Sequence, residues 1–301
     1  MRICSIDVGT NTVNSIVADV EGRRLTVLVD EERFARLGQG VDAAGRLAPE
    51  AMDRVVDCLA SALARAARLS AERVVIGATS ASRDAANVGD LQARVARELG
   101  LDYRVISGET EARLSFAGAL ALRPDLDRAV VLDVGGGSTE VVAGDRAGIH
   151  TATSLDVGTV RLTERHGAVP PVDAATQRAV EADVEAALAT LPPGVFAHGP
   201  LVGTGSTAKV AAHLAGGDRV TPEALARSRA HLATLAPEAI AALAPDVLTG
   251  REDVMVSALV LVETVLRVAG APALLVSPGG LRHGLALSEG RGEKGKGGET
   301  V

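Results

Sequence analysis

Apolar positions in this chain gather into short β-rich runs near its start and again near its middle. ICSIDV (3–8) and VNSIVADV (13–20) flank one small-residue turn, and AVVLDV (129–134) and TEVVAG (139–144) flank another. Each leading run ends in Asp-Val-Gly, so Asp7 and Asp133 hold the same place in two hairpins, one in each half. Residues 1–30 read as two or three antiparallel strands, with Glu21-Gly22 as a turn. A helix follows over 49–69, with Pro49 in its first turn. RVVIGATSA (73–81) has the pattern of a buried strand, and a helix over about 89–99 closes at Gly100. DYRVIS (102–107) predicts a short strand, and GETEARLSFAGAL (108–120) begins a helix. This β-β-β-α-β-α-β-α order is an α/β pattern.

RPDLDR (123–128) is a polar break, after which the pattern restarts. Strand-like IHTATSLDV (149–157) leads into a helix from near Gly158, and an Ala-rich helix spans about 172–191. PLVGTGSTAKVAAHL (200–214) reads as strand, glycine loop and helix. Helices fill most of 221–269, and ALLVSPGGLRHGLAL (273–287) ends the pattern with strand, loop and helix. The boundaries predicted are a first domain at 1–124, a second at 125–288, and a Gly-rich, charged, disordered tail at 289–301. The helix at 281–289 is expected to pack back on the first domain.

Composition narrows the function classes. The 301 residues suffice for two domains with separate cores. Apolar residues reach 47% with aromatics at only 1%, so those cores are built from Ala, Val and Leu. A net charge of −7 argues against a broad nucleic-acid-binding face, so a polyanionic ligand needs a local site. Cys4 and Cys58 have no metal-like spacing and suit a reducing compartment. The sequence opens on a strand rather than a leader. No apolar run reaches the roughly 18 to 20 residues of a membrane span. A soluble, cytoplasmic protein with no membrane or nucleic-acid partner is expected.

Several motifs carry candidate chemistry. In DVGTNT (7–12), Gly9 permits a tight turn and the amides of Thr10, Asn11 and Thr12 can face an anion. Asp7 can hold a metal ion there, although an ordinary hairpin turn uses the same residues. DVGGGSTE (133–140) is harder to explain as a turn alone. Three glycines cost backbone entropy, which makes sense where a ligand approaches the main chain. Ser138 and Thr139 add hydroxyls, and Glu140 adds a carboxylate suited to Mg²⁺. GTGST (203–207) joins a strand to a helix start, the geometry that accepts a phosphate; it lacks the P-loop spacing. In SGETEAR (107–113), Glu109 and Glu111 both fit the first helical turn, as dipole partners or as a general base. Arg83, just past a strand end, can bind phosphate or pair with Asp84. Asp156 reads as a loop or cap residue, and His166 and His283 as surface positions.

Taken in order, IDVGTNT, ATSASR, SGETEA, LDVGGGSTE, GTVRLTE, GTGST and GGLRHG resemble the exopolyphosphatase / guanosine pentaphosphate phosphohydrolase family. That family lies in the actin-like, sugar-kinase and Hsp70 ATPase superfamily, and the likeness runs from about residue 3 to 288. It implies two ribonuclease-H-like domains with a cleft between them. It makes Glu111, rather than Glu109, the base that activates water, and Arg83 the arginine on the terminal phosphate. Asp133 and Glu140, with Asp7, match carboxylates associated with Mg²⁺, with Mn²⁺ as the alternative ion. Gly135, Gly136, Gly137 and Ser138 match one phosphate loop, Asn11 and Thr12 another, and Gly205 with Ser206 a third.

The implied activity is removal of terminal phosphate from inorganic polyphosphate, with guanosine pentaphosphate as the alternative substrate. A homodimer is also implied. A superfamily small-molecule kinase and a non-catalytic polyphosphate sensor are the competing classes. Longer members carry a C-terminal HD-type domain that this sequence lacks, which predicts a preference for shorter polyphosphates. The last family segment often has Glu where this chain has His283, a departure the sequence leaves unexplained.

Overall fold

The structure, a computed structural model, describes residues 1–291. It divides into two compact units: 1–41, 45–123 and the chain from Gly279 onward form unit 1, and 42–44 with 124–278 form unit 2.

In unit 1, strands β1 (Arg2–Val8), β2 (Thr12–Glu21) and β3 (Arg24–Phe34) form an antiparallel meander. After α1 (Val41–Ala44) and α2 (Pro49–Arg68), β4 (Arg73–Ala78) joins parallel to β1. Helices α3 (Ser80–Asp84) and α4 (Val88–Leu99) precede the short β5 (Arg104–Val105), which is parallel to β4. Helix α5 (Gly108–Ala121) completes this stretch, and the sheet order is β3-β2-β1-β4-β5. β1 is apolar at most positions because helices cover both faces of the sheet. On one face α2 lays down Val55, Leu59, Ala62 and Ala66, a stripe at helical spacing. Pro49 starts that helix, and Gly100, at φ +65°, ends α4 in the left-handed region that glycine tolerates. Edge strand β3 carries a bulge at Leu28, a common device against edge pairing.

Unit 2 repeats the plan. β6 (Arg128–Val134), β7 (Thr139–Asp145) and β8 (Ile149–Leu155) form the meander. Helices α6 (Thr159–His166) and α7 (Ala174–Leu188) lead to β9 (Leu201–Thr204), parallel to β6. Then come α8 (Gly205–Ala215), β10 (Arg219–Val220), α9 (Pro222–Leu232), α10 (Pro237–Leu243), α11 (Pro245–Leu248), α12 (Met255–Ala269) and β11 (Leu274–Val276). The sheet order is β10-β11-β9-β6-β7-β8. Removing β10 leaves the order of unit 1, so both units have the ribonuclease-H-like arrangement read from the sequence.

Helix α13 (Leu281–Arg291) belongs to unit 1 and covers the face of its sheet opposite α2. It makes Glu289 to Arg291 helical, where the sequence reading begins a disordered tail. The remainder of that tail, 292–301, lies outside the described residues. Among the described residues no helix is long and apolar enough to cross a membrane.

Candidate active site

The two Asp-Val-Gly hairpins match in detail. Val8 pairs with Val13 and Val134 with Thr139, leaving loops 9–12 and 135–138. The Gly9 amide donates to the Thr12 carbonyl at 2.9 Å, and the Gly135 amide donates to the Ser138 carbonyl at 2.9 Å. A Cβ on Gly9 would lie 3.1 Å from Thr12 O, and one on Gly135 would lie 3.1 Å from Ser138 O. The duplication therefore reaches the backbone of each loop.

What packs behind each loop orients its peptides. In unit 2 the Gly135 carbonyl accepts from Thr159 N at 3.0 Å, and the Gly136 carbonyl accepts from Val160 N at 2.8 Å. The Gly137 carbonyl accepts from Arg161 Nε at 2.7 Å. These donors belong to the start of α6. A trans peptide points its C=O and N–H in opposite directions. The amides of Gly136, Gly137 and Ser138 therefore face away from α6, as a row suited to an anion. In unit 1 the Thr10 carbonyl accepts from Gly38 N at 2.8 Å, and the Asn11 carbonyl accepts from Arg36 N at 2.8 Å. The amides of Asn11 and Thr12 are turned outward by the same rule.

The backing residues were not among those singled out from the sequence. Gly158 lies so close under the glycine loop that a Cβ would sit 2.5 Å from Gly136. Gly38 admits the Thr10 methyl, which a Cβ would meet at 2.2 Å. Gly158 and Arg161 both lie in GTVRLTE, so that motif serves the loop from behind. Its neighbour Asp156 is exposed in the β8–α6 connection.

At the end of β6, Asp133 pairs in register with Glu140 of β7 and with Thr204 of β9. Directly opposed residues of an antiparallel pair project on one face, so the two carboxylates share it. Glu140 is 1% exposed, and Ser154 Oγ donates to it at 2.7 Å. Gly205 begins α8 at φ +78°, and a Cβ there would lie 2.7 Å from Asp133 Oδ1. Ser206 follows it in the first turn, while Thr207 Oγ1 donates to the Val134 carbonyl at 2.9 Å. Unit 2 thus brings together the glycine loop, both carboxylates and the start of α8.

Two carboxylates plus phosphate oxygens from a substrate suit Mg²⁺, which seldom takes an all-protein cage. No group of three His, Cys, Asp or Glu side chains among the described residues forms a ready metal cage. Asp7 lies in unit 1, where Asn14 Nδ2 donates to it at 3.3 Å.

Unit 1 joins the other two candidates. Glu111 is 7% exposed on the first turn of α5, behind the N-cap Ser107, whose Oγ accepts from Thr110 N at 3.2 Å. Arg83 Nη1 donates to Glu111 Oε2 at 2.6 Å and to the Ile106 carbonyl at 3.2 Å. Glu109 points elsewhere and pairs with Arg113 at 2.9 Å, a surface i,i+4 pair. Beneath α3, Ser82 Oγ bonds Tyr103 Oη at 2.8 Å, and burial pushes that phenol's pKa up.

His283 corrects one expectation. It is 2% exposed rather than on the surface, and its Nδ1 accepts from Gly280 N at 3.1 Å at the start of α13. Position N3 of a helix commonly receives such a bond from the N-cap amide, a role often played by Glu. His166 is half-buried and pairs with Asp183 at 3.0 Å.

Comparison with known proteins agrees with this architecture. The model of the Ppx/GppA phosphatase family matches residues 15–291. Exopolyphosphatase 2 of Mycobacterium tuberculosis is 37% identical over 320 aligned positions, covering 95% of this chain and 98% of that protein. The crystal structure of an exopolyphosphatase from Cytophaga hutchinsonii superposes with a TM-score of 0.87 at 26% identity, covering 97% and 98% of the two chains. That of an Aquifex aeolicus Ppx/GppA family member gives 0.79 at 26% identity, with the same coverage. The chain belongs to the Ppx/GppA phosphatase family and is a phosphoanhydride hydrolase.

Proposed function

We propose that this chain is an exopolyphosphatase that releases terminal phosphate from inorganic polyphosphate. The observation that carries the mechanism is the buried carboxylate of Glu111 held 2.6 Å from Arg83 on a helix start. The polyphosphate assignment draws on the likeness to Exopolyphosphatase 2 over almost the whole of both chains.

Polyphosphate arrives with several negative charges. The amides of Gly136, Gly137 and Ser138, those of Asn11 and Thr12, and the helix start at Gly205 and Ser206 bind its oxygens. Arg83 holds the terminal phosphoryl group through its guanidinium. Glu111 orients a water molecule and takes its proton as the oxygen attacks phosphorus. The bridging P–O bond breaks, and the shortened chain leaves with the electron pair. Asp133 and Glu140 would hold Mg²⁺ or Mn²⁺, which would neutralise phosphate charge.

The test is phosphate release from defined-length polyphosphates, long polyphosphate and guanosine pentaphosphate, each with and without Mg²⁺. Metal-dependent release from polyphosphate at a kcat/KM above that for guanosine pentaphosphate supports the reading. The reverse preference moves the assignment to the nucleotide. Phosphoryl transfer from ATP to a sugar or carboxylic acid, without polyphosphate hydrolysis, overturns it.

A further inference from the structure

GGLRHG (279–284) lies at the start of α13 and supplies none of the groups assigned above to substrate. We propose that it is a positioning device: its glycines lock α13 against α5 and so set where Glu111 stands. The inference rests on the reading of Glu111 as the base.

Backbone meets backbone along this seam. A Cβ on Gly118 of α5 would lie 2.0 Å from the Gly280 carbonyl oxygen and 2.8 Å from Gly284 N. One on Gly279 would lie 2.1 Å from the Gly118 carbonyl oxygen, and one on Gly284 would lie 2.0 Å from the Leu114 carbonyl oxygen. Main-chain atoms cannot swing aside as a side chain does. Each of these glycines therefore admits an approach that any other residue blocks. Glu111, Leu114 and Gly118 stand at i, i+3 and i+7, so the seam and the base occupy one stripe of α5.

Helix α13 is itself fixed to the sheet. Ser5 Oγ of β1, wholly buried, donates to the Arg282 carbonyl at 2.5 Å. The Arg282 guanidinium bonds both oxygens of Asp30 on β3, at 3.0 and 2.8 Å. His283 holds the Gly280 amide, as described, and Leu285 rests over Gly77 of β4. The sheet locates α13, α13 locates α5, and α5 carries Glu111 to Arg83. Gly118, Gly279 and Gly284 are positioning residues in this chain of contacts. An added Cβ must part the helices by about 1 Å, and a displacement of that size at a reacting group can cost about 10²-fold in rate.

The test is a set of double-mutant cycles read by polyphosphate hydrolysis of the full chain. Gly118→Ala and Gly284→Ala should each lower kcat by about 10- to 100-fold and leave KM within about threefold. In a Glu111→Gln background the same substitutions should cost less than about twofold, because they act through the residue already removed. Leu287→Ala, a buried truncation on α13, should lower Tm without lowering kcat in the folded protein. If the glycine variants do not fold, Leu285→Val loosens the seat of α13 on β4, which locates the seam, without a backbone clash. It should then show the same pattern at about two- to fivefold. The proposal is overturned if the kcat loss persists undiminished in Glu111→Gln. It also falls if folded glycine variants keep full kcat, or if Leu287→Ala lowers kcat as much as they do. Near-normal kcat in Glu111→Gln alone would instead remove the base assignment, and this inference with it.

Discussion

Asp133 and Glu140 are register partners across β6 and β7, while the matching aspartate of unit 1, Asp7, stands opposite Asn14. The duplicated hairpins therefore differ in what faces this aspartate. In unit 1 the partner is an amide that donates to the carboxylate. In unit 2 it is a second carboxylate, so that copy presents two carboxylates on one face, the pair proposed above for a divalent cation.

Removing half of the pair should weaken metal use. Glu140→Gln should raise the Mg²⁺ concentration for half-maximal phosphate release by about tenfold or more, the usual scale for loss of a supporting metal contact. Asp7→Asn should shift it less. Metal titrations of polyphosphate hydrolysis check this, and equal shifts for the two variants would refute the ranking.

Glu111→Gln should lower kcat by about 10² to 10⁴, the range for loss of a positioned base. Its KM should stay within a few-fold, since the phosphate loops remain. Arg83→Gln should raise KM as well as lower kcat, because it removes the proposed phosphate contact and takes the guanidinium from Glu111. Steady-state kinetics on a defined-length polyphosphate separate the two patterns.

The support behind the glycine loop has its own signature. Gly158→Ala introduces a Cβ 2.5 Å from Gly136 and must disturb the amide row. KM for polyphosphate should rise by about tenfold, equivalent to about 1.4 kcal/mol of lost binding. Circular dichroism should still report a folded chain. An unchanged KM in a folded variant would show that the loop tolerates the shift.

Alkali should destabilise the chain through Cys4. Burial pushes this thiol up to about 11, and nearby Arg65 opposes the shift only in part. The folded chain thus holds the proton more tightly than the unfolded chain, whose thiol titrates near 8.5 to 9. The contribution is fully present below the unfolded pKa and is lost as pH rises through the folded value. It is on the order of 3 kcal/mol. Urea midpoints at pH 8 and pH 10.5 should differ by more in the wild type than in Cys4→Ala.

Much of this molecule is legible along the chain. Apolar runs broken by Asp-Val-Gly reveal both hairpins because strand pairing across a short loop is a local matter. The α/β alternation and the glycine caps are local too. The strand read at 102–107 narrows to Arg104–Val105, the residues in register with Gly77 and Ala78 of β4. Surface placement of His283 failed for a related reason. A polar residue beside glycines looks exposed, yet here its ring accepts a helix amide under a neighbouring helix.

Between Glu109 and Glu111 the residues by themselves leave a tie. One faces solvent and pairs with Arg113, while the other turns inward to Arg83, 28 positions earlier in the chain. Helical phase alone cannot tell which face will be buried without knowing what packs on α5. The same holds for Gly118, whose reason for being glycine lies about 160 residues away at Gly280. The sequence by itself determined the two β-rich halves, their phosphate-suited loops and the short list of carboxylates. Tertiary structure decided which carboxylate meets an arginine, which aspartate meets a second carboxylate, and which glycines carry backbone contacts. Those choices depend on approaches between segments distant in the chain, and only packing sets them.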